Sequence, residues 1–120
     1  MKITKRQARI AATLIAAATL IAFIIANIDF TNHDDFAKCL TGNGMVMYGS
    51  EWCPHCKAMK SEFGGSMQYI QYVECTKEQG RCELDGIRMY PAFKFQDDTV
   101  LYGEMDLELL GSKAGCEMKD

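Results

Sequence analysis

Cys53 and Cys56 stand three positions apart in Trp52-Cys53-Pro54-His55-Cys56, a spacing that lets two sulfurs close a small disulfide ring and open it again. The chemistry on offer is electron transfer between thiols. A cysteine that opens such a motif commonly sits where a loop enters a helix, so the helix's positive end and unpaired amide groups favour a thiolate there. Pro54 suits the first helical turn, where its missing N–H costs nothing, and His55 can set a partial positive charge beside the sulfur. The two inner residues therefore tune the redox potential of the pair.

Zinc and haem are the rival chemistries for this spacing. Zinc wants a second CxxC or a His pair at matched spacing, but the next cysteines, Cys75 and Cys82, have six residues between them. Covalent haem attachment wants a histidine directly after the second cysteine, and this chain has Lys57 there. No metal is expected, and no cofactor need be bound.

The dithiol must be positioned by a small domain. Of 120 residues the first thirty read differently from the rest, which leaves about ninety for one folded unit. Residues Ile10 to Ile28 carry no charge, and at about 1.5 Å per helical residue they nearly span a bilayer core. Lys2, Lys5, Arg6 and Arg9 precede this run and no acid does, whereas Asp29, Asp34 and Asp35 follow it. The positive-inside rule places the N-terminus in the cytoplasm and the domain on the extracytoplasmic (periplasmic or outer) face. A cleaved signal peptide is the competing reading. Its apolar core is usually shorter, and no clear AxA-like pattern stands near Ala26, so an uncleaved single-pass anchor is the expectation. The organisation expected is a basic N-terminus over 1–9, a transmembrane anchor over 10–28, a linker over 29–35 and a globular domain over 36–120.

From Phe30 onward nine Lys plus Arg face fifteen Asp plus Glu, a net charge of about −6 that gives nucleic acid no purchase. All six cysteines lie beyond the apolar run. An even number in a small translocated domain fits an oxidising compartment.

Within the domain, Asn32 or Asp34 is expected to cap a first helix that carries Phe36, Cys39 and Leu40 and ends at Gly42 and Gly44. Met45-Val46-Met47-Tyr48 reads as a short strand with apolar residues on both faces, and Cys53 lies just past its end. From Pro54 to Phe63 a helix would turn Cys56, Met59 and Phe63 to one face and Lys57, Lys60 and Ser61 to others, with Gly64-Gly65 as a stop. Cys56 should be the more buried sulfur. Tyr69 to Val73 is strand-like, Cys82 to Leu84 reads as a helical turn ended by Gly86, and Ala92 to Phe95 with Thr99 to Tyr102 reads as a hairpin. A last helix would start at Asp106 and bury Leu107, Leu110 and Ala114. His33 reads as an exposed linker residue, and Tyr48, Phe93 and Phe95 as core.

This order of elements, with the strand running into WCPHC and a lone Pro91 downstream, resembles the thioredoxin family. The resemblance implies an α/β fold, a compact thioredoxin-like unit with a central mixed sheet flanked by helices, here behind a single N-terminal transmembrane helix. It also implies that Pro91, after Tyr90, is cis and faces the active disulfide, where the neighbouring backbone can pair with an extended substrate chain. The closer match is to thioredoxin-like domains fused to, or partnering, bacterial homologues of vitamin K epoxide reductase. The residues that carry it are FAKCL at 36–40, VMYGSEWCPHC at 46–56, YVEC at 72–75, Cys82, Tyr90-Pro91 and Gly115-Cys116. DsbA-like oxidases share CPHC, but they carry a large helical insertion for which this chain is too short.

That resemblance pairs Cys39 with Cys116 and Cys75 with Cys82 as structural disulfides, with an electron relay through Cys75 and Cys82 as the alternative. It gives Cys53 and Cys56 the catalytic role with Pro54 and His55 beside them, and Trp52, Tyr90 and Pro91 the substrate contacts. In one respect the chain departs from the pattern: many thioredoxins bury an acid six residues before the first active cysteine, and Met47 stands there. Proton transfer at the second thiol would then fall to water, Glu51 or His55. The function implied is an anchored thiol:disulfide oxidoreductase that oxidises cysteine-containing protein substrates and is itself reoxidised by a quinone-linked, vitamin K epoxide reductase-like membrane oxidase. An anchored reductase or isomerase, and a non-catalytic binding module with CPHC as a staple, are the alternatives.

Overall fold

A computed structural model of the chain describes residues 2–27 and 33–119. Helix α1, Lys5–Ala26, belongs to one unit, and residues 33–119 belong to the second, compact one. Thr4 caps α1 in a reciprocal box: its Oγ1 accepts from the Gln7 N–H at 3.3 Å, and Gln7 Oε1 accepts from the Thr4 N–H at 3.1 Å. The helix therefore begins in the basic segment, ahead of the apolar run. Its 22 residues extend about 33 Å, so length and composition fit a bilayer span.

The compact unit is built on four short strands in the order β2-β1-β3-β4: β1 Val46–Gly49, β2 Tyr72–Glu74, β3 Ala92–Lys94 and β4 Val100–Tyr102. β1 runs parallel to β2 and antiparallel to β3, and β3 is antiparallel to β4, which gives a mixed sheet. Side chains alternate across it. Met47 and Phe93 point to one face and join a core with Phe36, Ala37 and Leu40 of α2 (Asp34–Gly42), Met59 and Phe63 of α3 (Pro54–Phe63), and Leu107 and Leu110 of α5 (Leu107–Ala114). Tyr48, Val73 and Ala92 point to the other and pack with Cys75, Ile87 and Cys82, the last from α4 (Gln79–Leu84). Apolar residues on both faces of β1 thus have a layer to meet on each side. Tyr48, Phe93 and Phe95 are all buried.

Disulfides join Cys39 to Cys116 and Cys75 to Cys82. The first ties α2 to the segment after α5, where Gly111 allows close approach: a Cβ there would come within 2.7 Å of the Phe36 ring and 2.5 Å of the Cys116 carbonyl oxygen.

Three local expectations differ from what is observed. Gly64 does turn the chain out of α3, with φ +56, but residues Gly64–Tyr69 continue as a 3-10 helix that buries Ser66, so β2 starts at Tyr72 rather than Tyr69. Thr41 holds this junction, its hydroxyl donating to the Tyr69 carbonyl and accepting from the Gln71 N–H. Asp34 is the first residue of α2 rather than its cap, because its side chain accepts from Ser66 Oγ at 2.7 Å instead; Asn32 lies outside the described residues. His33, the residue before α2, is half-buried rather than exposed, and its N–H donates to Ser66 Oγ.

Candidate active site

β1 ends at Gly49, and the loop Ser50-Glu51-Trp52 carries the chain to Cys53, which is the N-cap of α3. The cap is made by the sulfur itself, since Cys53 Sγ accepts from the Cys56 N–H at 3.2 Å. Pro54 occupies the first helical turn, where no N–H is needed. One turn of helix brings Cys56 back under Cys53, so the pair is held by helix geometry rather than by the loop. Both are free thiols and both are buried, Cys53 at 4% exposure and Cys56 at 0%. Cys53 is therefore the outer sulfur, but a shielded one, reached from the rim rather than presented openly.

The Cys56 thiol is pushed up to about 12, first by burial and then by its hydrogen bond to Cys53 and the charge of that sulfur, against a lowering by the Ser50 backbone N–H and the Lys60 ammonium. Because this raised value belongs to the folded dithiol, its stabilising contribution is complete below the ordinary value of 9.0 and is lost as pH climbs towards 12. Thermal unfolding of the reduced and oxidised chains should accordingly diverge above about pH 9, the reduced form losing stability relative to the disulfide form. Parallel melting curves through that window would contradict the burial of Cys56.

His55 Nδ1 lies 3.0 Å from Glu104 Oε1, and both side chains are exposed. Trp52 is 67% exposed and meets Tyr90 edge-on, ring centroids 6.2 Å apart, so the two aromatics form an apolar rim with exposed Met89 beside them. The Tyr90–Pro91 bond is cis and Pro91 is buried. The Pro91 carbonyl accepts from the Gly103 N–H at 2.8 Å, which engages it in the sheet margin. A groove of about 620 Å³ beside α3, with Met59, Glu104 and Leu107 in its wall, is lined by neither active cysteine.

Four neighbours of the site were not among the residues singled out in the sequence for chemistry: Tyr72, Glu74, Ser50 and Glu104. Tyr72 Oη donates to Glu74 Oε2 at 2.8 Å, and Glu74 also accepts from the Glu51 N–H, the Thr76 N–H and the Thr76 hydroxyl. Burial alone would raise the Glu74 carboxyl, but these donors together hold it below its ordinary value. Glu51 takes part through its backbone, and its side chain is exposed. Pairing register is the signal for Tyr72 and Glu74, because it sets them beside Met47 and Gly49. Among the described residues no cluster of His, Cys, Asp or Glu is arranged to hold a metal ion.

A helix-capping dithiol at the end of a central strand, in a mixed sheet with helices on both faces and a cis proline before β3, defines a thioredoxin-type thiol exchange site. Residues 27–107 match the Thioredoxin family, and the chain belongs to it. It is similar to a protein disulfide-isomerase of Humicola insolens (30% identity over 90 residues, 68% of this chain and 17% of that protein). It is also similar to a protein disulfide-isomerase of Aspergillus niger (26% over 93 residues, 70% and 17%) and to a probable protein disulfide-isomerase ER-60 of Schistosoma mansoni (30% over 69 residues, 50% and 14%). The matched region spans about a sixth of the length of the first two.

Proposed function

We propose that the chain is a membrane-anchored thiol:disulfide oxidoreductase whose compact domain works outside the cytoplasm and oxidises protein thiols through a Cys53–Cys56 disulfide. The observation that carries this reading is the asymmetry of the dithiol: Cys53 caps α3 at the rim, and Cys56 is sealed beneath it. A substrate thiolate attacks Cys53, a mixed disulfide forms and Cys56 leaves; the second substrate thiol then displaces Cys53, which releases oxidised substrate and leaves the dithiol. Trp52 and Tyr90 would receive the substrate chain at the rim, with the backbone beside Pro91 pairing with it. His55 and Pro54 would tune the pair.

Residues 1–9, with four basic side chains, would stay in the cytoplasm and residues 10–28 would be retained as the anchor. The resemblance of FAKCL, VMYGSEWCPHC and YVEC supports a quinone-linked membrane oxidase of the vitamin K epoxide reductase type as the partner that regenerates the disulfide. Cys39–Cys116 and Cys75–Cys82 act in this reading as structural staples.

The similarity to protein disulfide-isomerases favours a second reading, in which the dithiol form attacks wrong substrate disulfides and reshuffles them. Direction is a matter of potential. Equilibration of the full chain with glutathione should give a value near about −120 mV for an oxidase, whereas one near about −180 mV would favour the isomerase and one near about −270 mV a reductase.

A further inference from the structure

The sheet register sets Tyr72 opposite Met47 and Glu74 opposite Gly49, on the face that α3 covers. Met47 is apolar and fully buried, so β1 offers the active pair no polar side chain from this face; β2 does. Gly49 has no side chain, and a Cβ there would lie 2.8 Å from Tyr72 Oη and 3.1 Å from Cys56 Sγ. The hydroxyl and the sulfur therefore flank one notch that only glycine leaves open. Above the phenol ring stands Lys60 Nζ, 4.0 Å from the centroid. Exchange in either direction passes through a Cys56 thiolate, which burial makes costly.

We propose that Tyr72 is a catalytic residue of thiol exchange: its hydroxyl turns from Glu74 to Cys56 Sγ as that sulfur takes on charge, and Glu74 is the positioning residue that holds the phenol in the notch. This rests on the exchange chemistry proposed above. As a substrate thiolate bonds to Cys53 Sγ, the Cys53–Cys56 bond breaks and its electron pair leaves on Cys56 Sγ. Tyr72 donates a hydrogen bond to that thiolate, and water afterwards supplies its proton. In the reverse direction the same thiolate, once formed, attacks the Cys53–substrate bond.

The neighbours fit a donor rather than a base. Tyr72 is pushed well above the usual phenol range, first by burial, then by the hydrogen bond to Glu74 and by the charges of Glu74, Cys56 and Cys53, so it keeps its proton. Glu74 keeps three donors, the Glu51 N–H, the Thr76 N–H and the Thr76 hydroxyl, when the phenol turns away. The carboxylate is thus never stranded, and rotation about one C–O bond redirects the hydrogen.

The test is Tyr72→Phe in the full chain in detergent, with single-turnover rates in both directions against a dithiol peptide and its disulfide. Both rates should fall about tenfold, the scale of a lost hydrogen bond to a charged group, with the reduction potential unchanged. Unchanged rates would overturn the proposal, and so would a slowing matched by a shifted potential, the mark of a merely structural role. Glu74→Ala should slow both directions by less than Tyr72→Phe at an unchanged potential, and Glu74→Gln, which restores an oxygen acceptor for the phenol, should recover part of that loss; a Glu74→Gln rate as low as that of Tyr72→Phe would make Glu74 the proton acceptor and overturn the proposal. An inert wild-type chain would sink the exchange reading itself, whereas an active one that ignores Tyr72→Phe sinks only the role of Tyr72.

Discussion

Replacing Cys53 by Ser should abolish exchange, by at least about a thousandfold, the scale on which removing a nucleophile abolishes covalent catalysis. Cys56→Ser behaves differently. With Cys53 still at the cap of α3 and Cys56 absent beneath it, the variant attacks a disulfide substrate and then has nothing with which to resolve the adduct. It should accumulate a mixed disulfide, visible as a mass increase that dithiothreitol removes. The contrast follows from burial and helix geometry: only the outer sulfur is reached from the rim, and only the inner one sits a single turn away, within reach of it. Adducts forming on Cys56 in Cys53→Ser would reverse the two roles. Full activity in the double variant would make CPHC a staple and the domain a binding module.

What was legible beforehand follows the range of each interaction. The helix from Pro54 to Phe63, the strand through Met47 and Tyr48 and the burial of Cys56 rest on local periodicity and on a cap within four residues, and these are found in place. The start of β2 was not legible, because a 3-10 helix pinned by Thr41, 28 residues from Tyr69, takes the residues whose types suit a strand. Tyr72 reads as an ordinary strand aromatic until the parallel pairing with β1 sets it beside Gly49 and the Cys56 sulfur. His55 shows the same limit from the other side: its place in CPHC says nothing of its partner, Glu104, which stands 49 residues away in sequence. The chemistry was written in adjacent residues. The groups that handle its charge came from pairing across the sheet.

The second large effect is on stability. Removing the Cys39–Cys116 bridge as Cys39→Ala/Cys116→Ala should cost about 4 kcal/mol, since the bond closes a sequence separation of 77 and so restrains most of the domain when unfolded. For a domain of this size that corresponds to a fall in Tm of about 20 °C. The Cys75–Cys82 bridge, with a separation of 7, should give about 2 kcal/mol on the same reasoning. The order matters more than either figure, because packing alone predicts the opposite: Cys75 and Cys82 are both buried, whereas Cys39 is only half-buried. The native contacts at the longer bridge do not depend on the bond alone. Asn43 Nδ2 donates to the Ala114 carbonyl at 2.8 Å, and Phe36 lies against Gly111, so α2 and α5 stay in register without it. The double variant should then fold to the same structure at 25 °C and exchange thiols at the wild-type rate, with its loss confined to thermal and urea midpoints. Equal losses from the two bridges would mean that local strain or packing, rather than restraint of the unfolded chain, decides their contribution, and an exchange rate that falls with the Cys75–Cys82 bridge would make that pair part of the electron path.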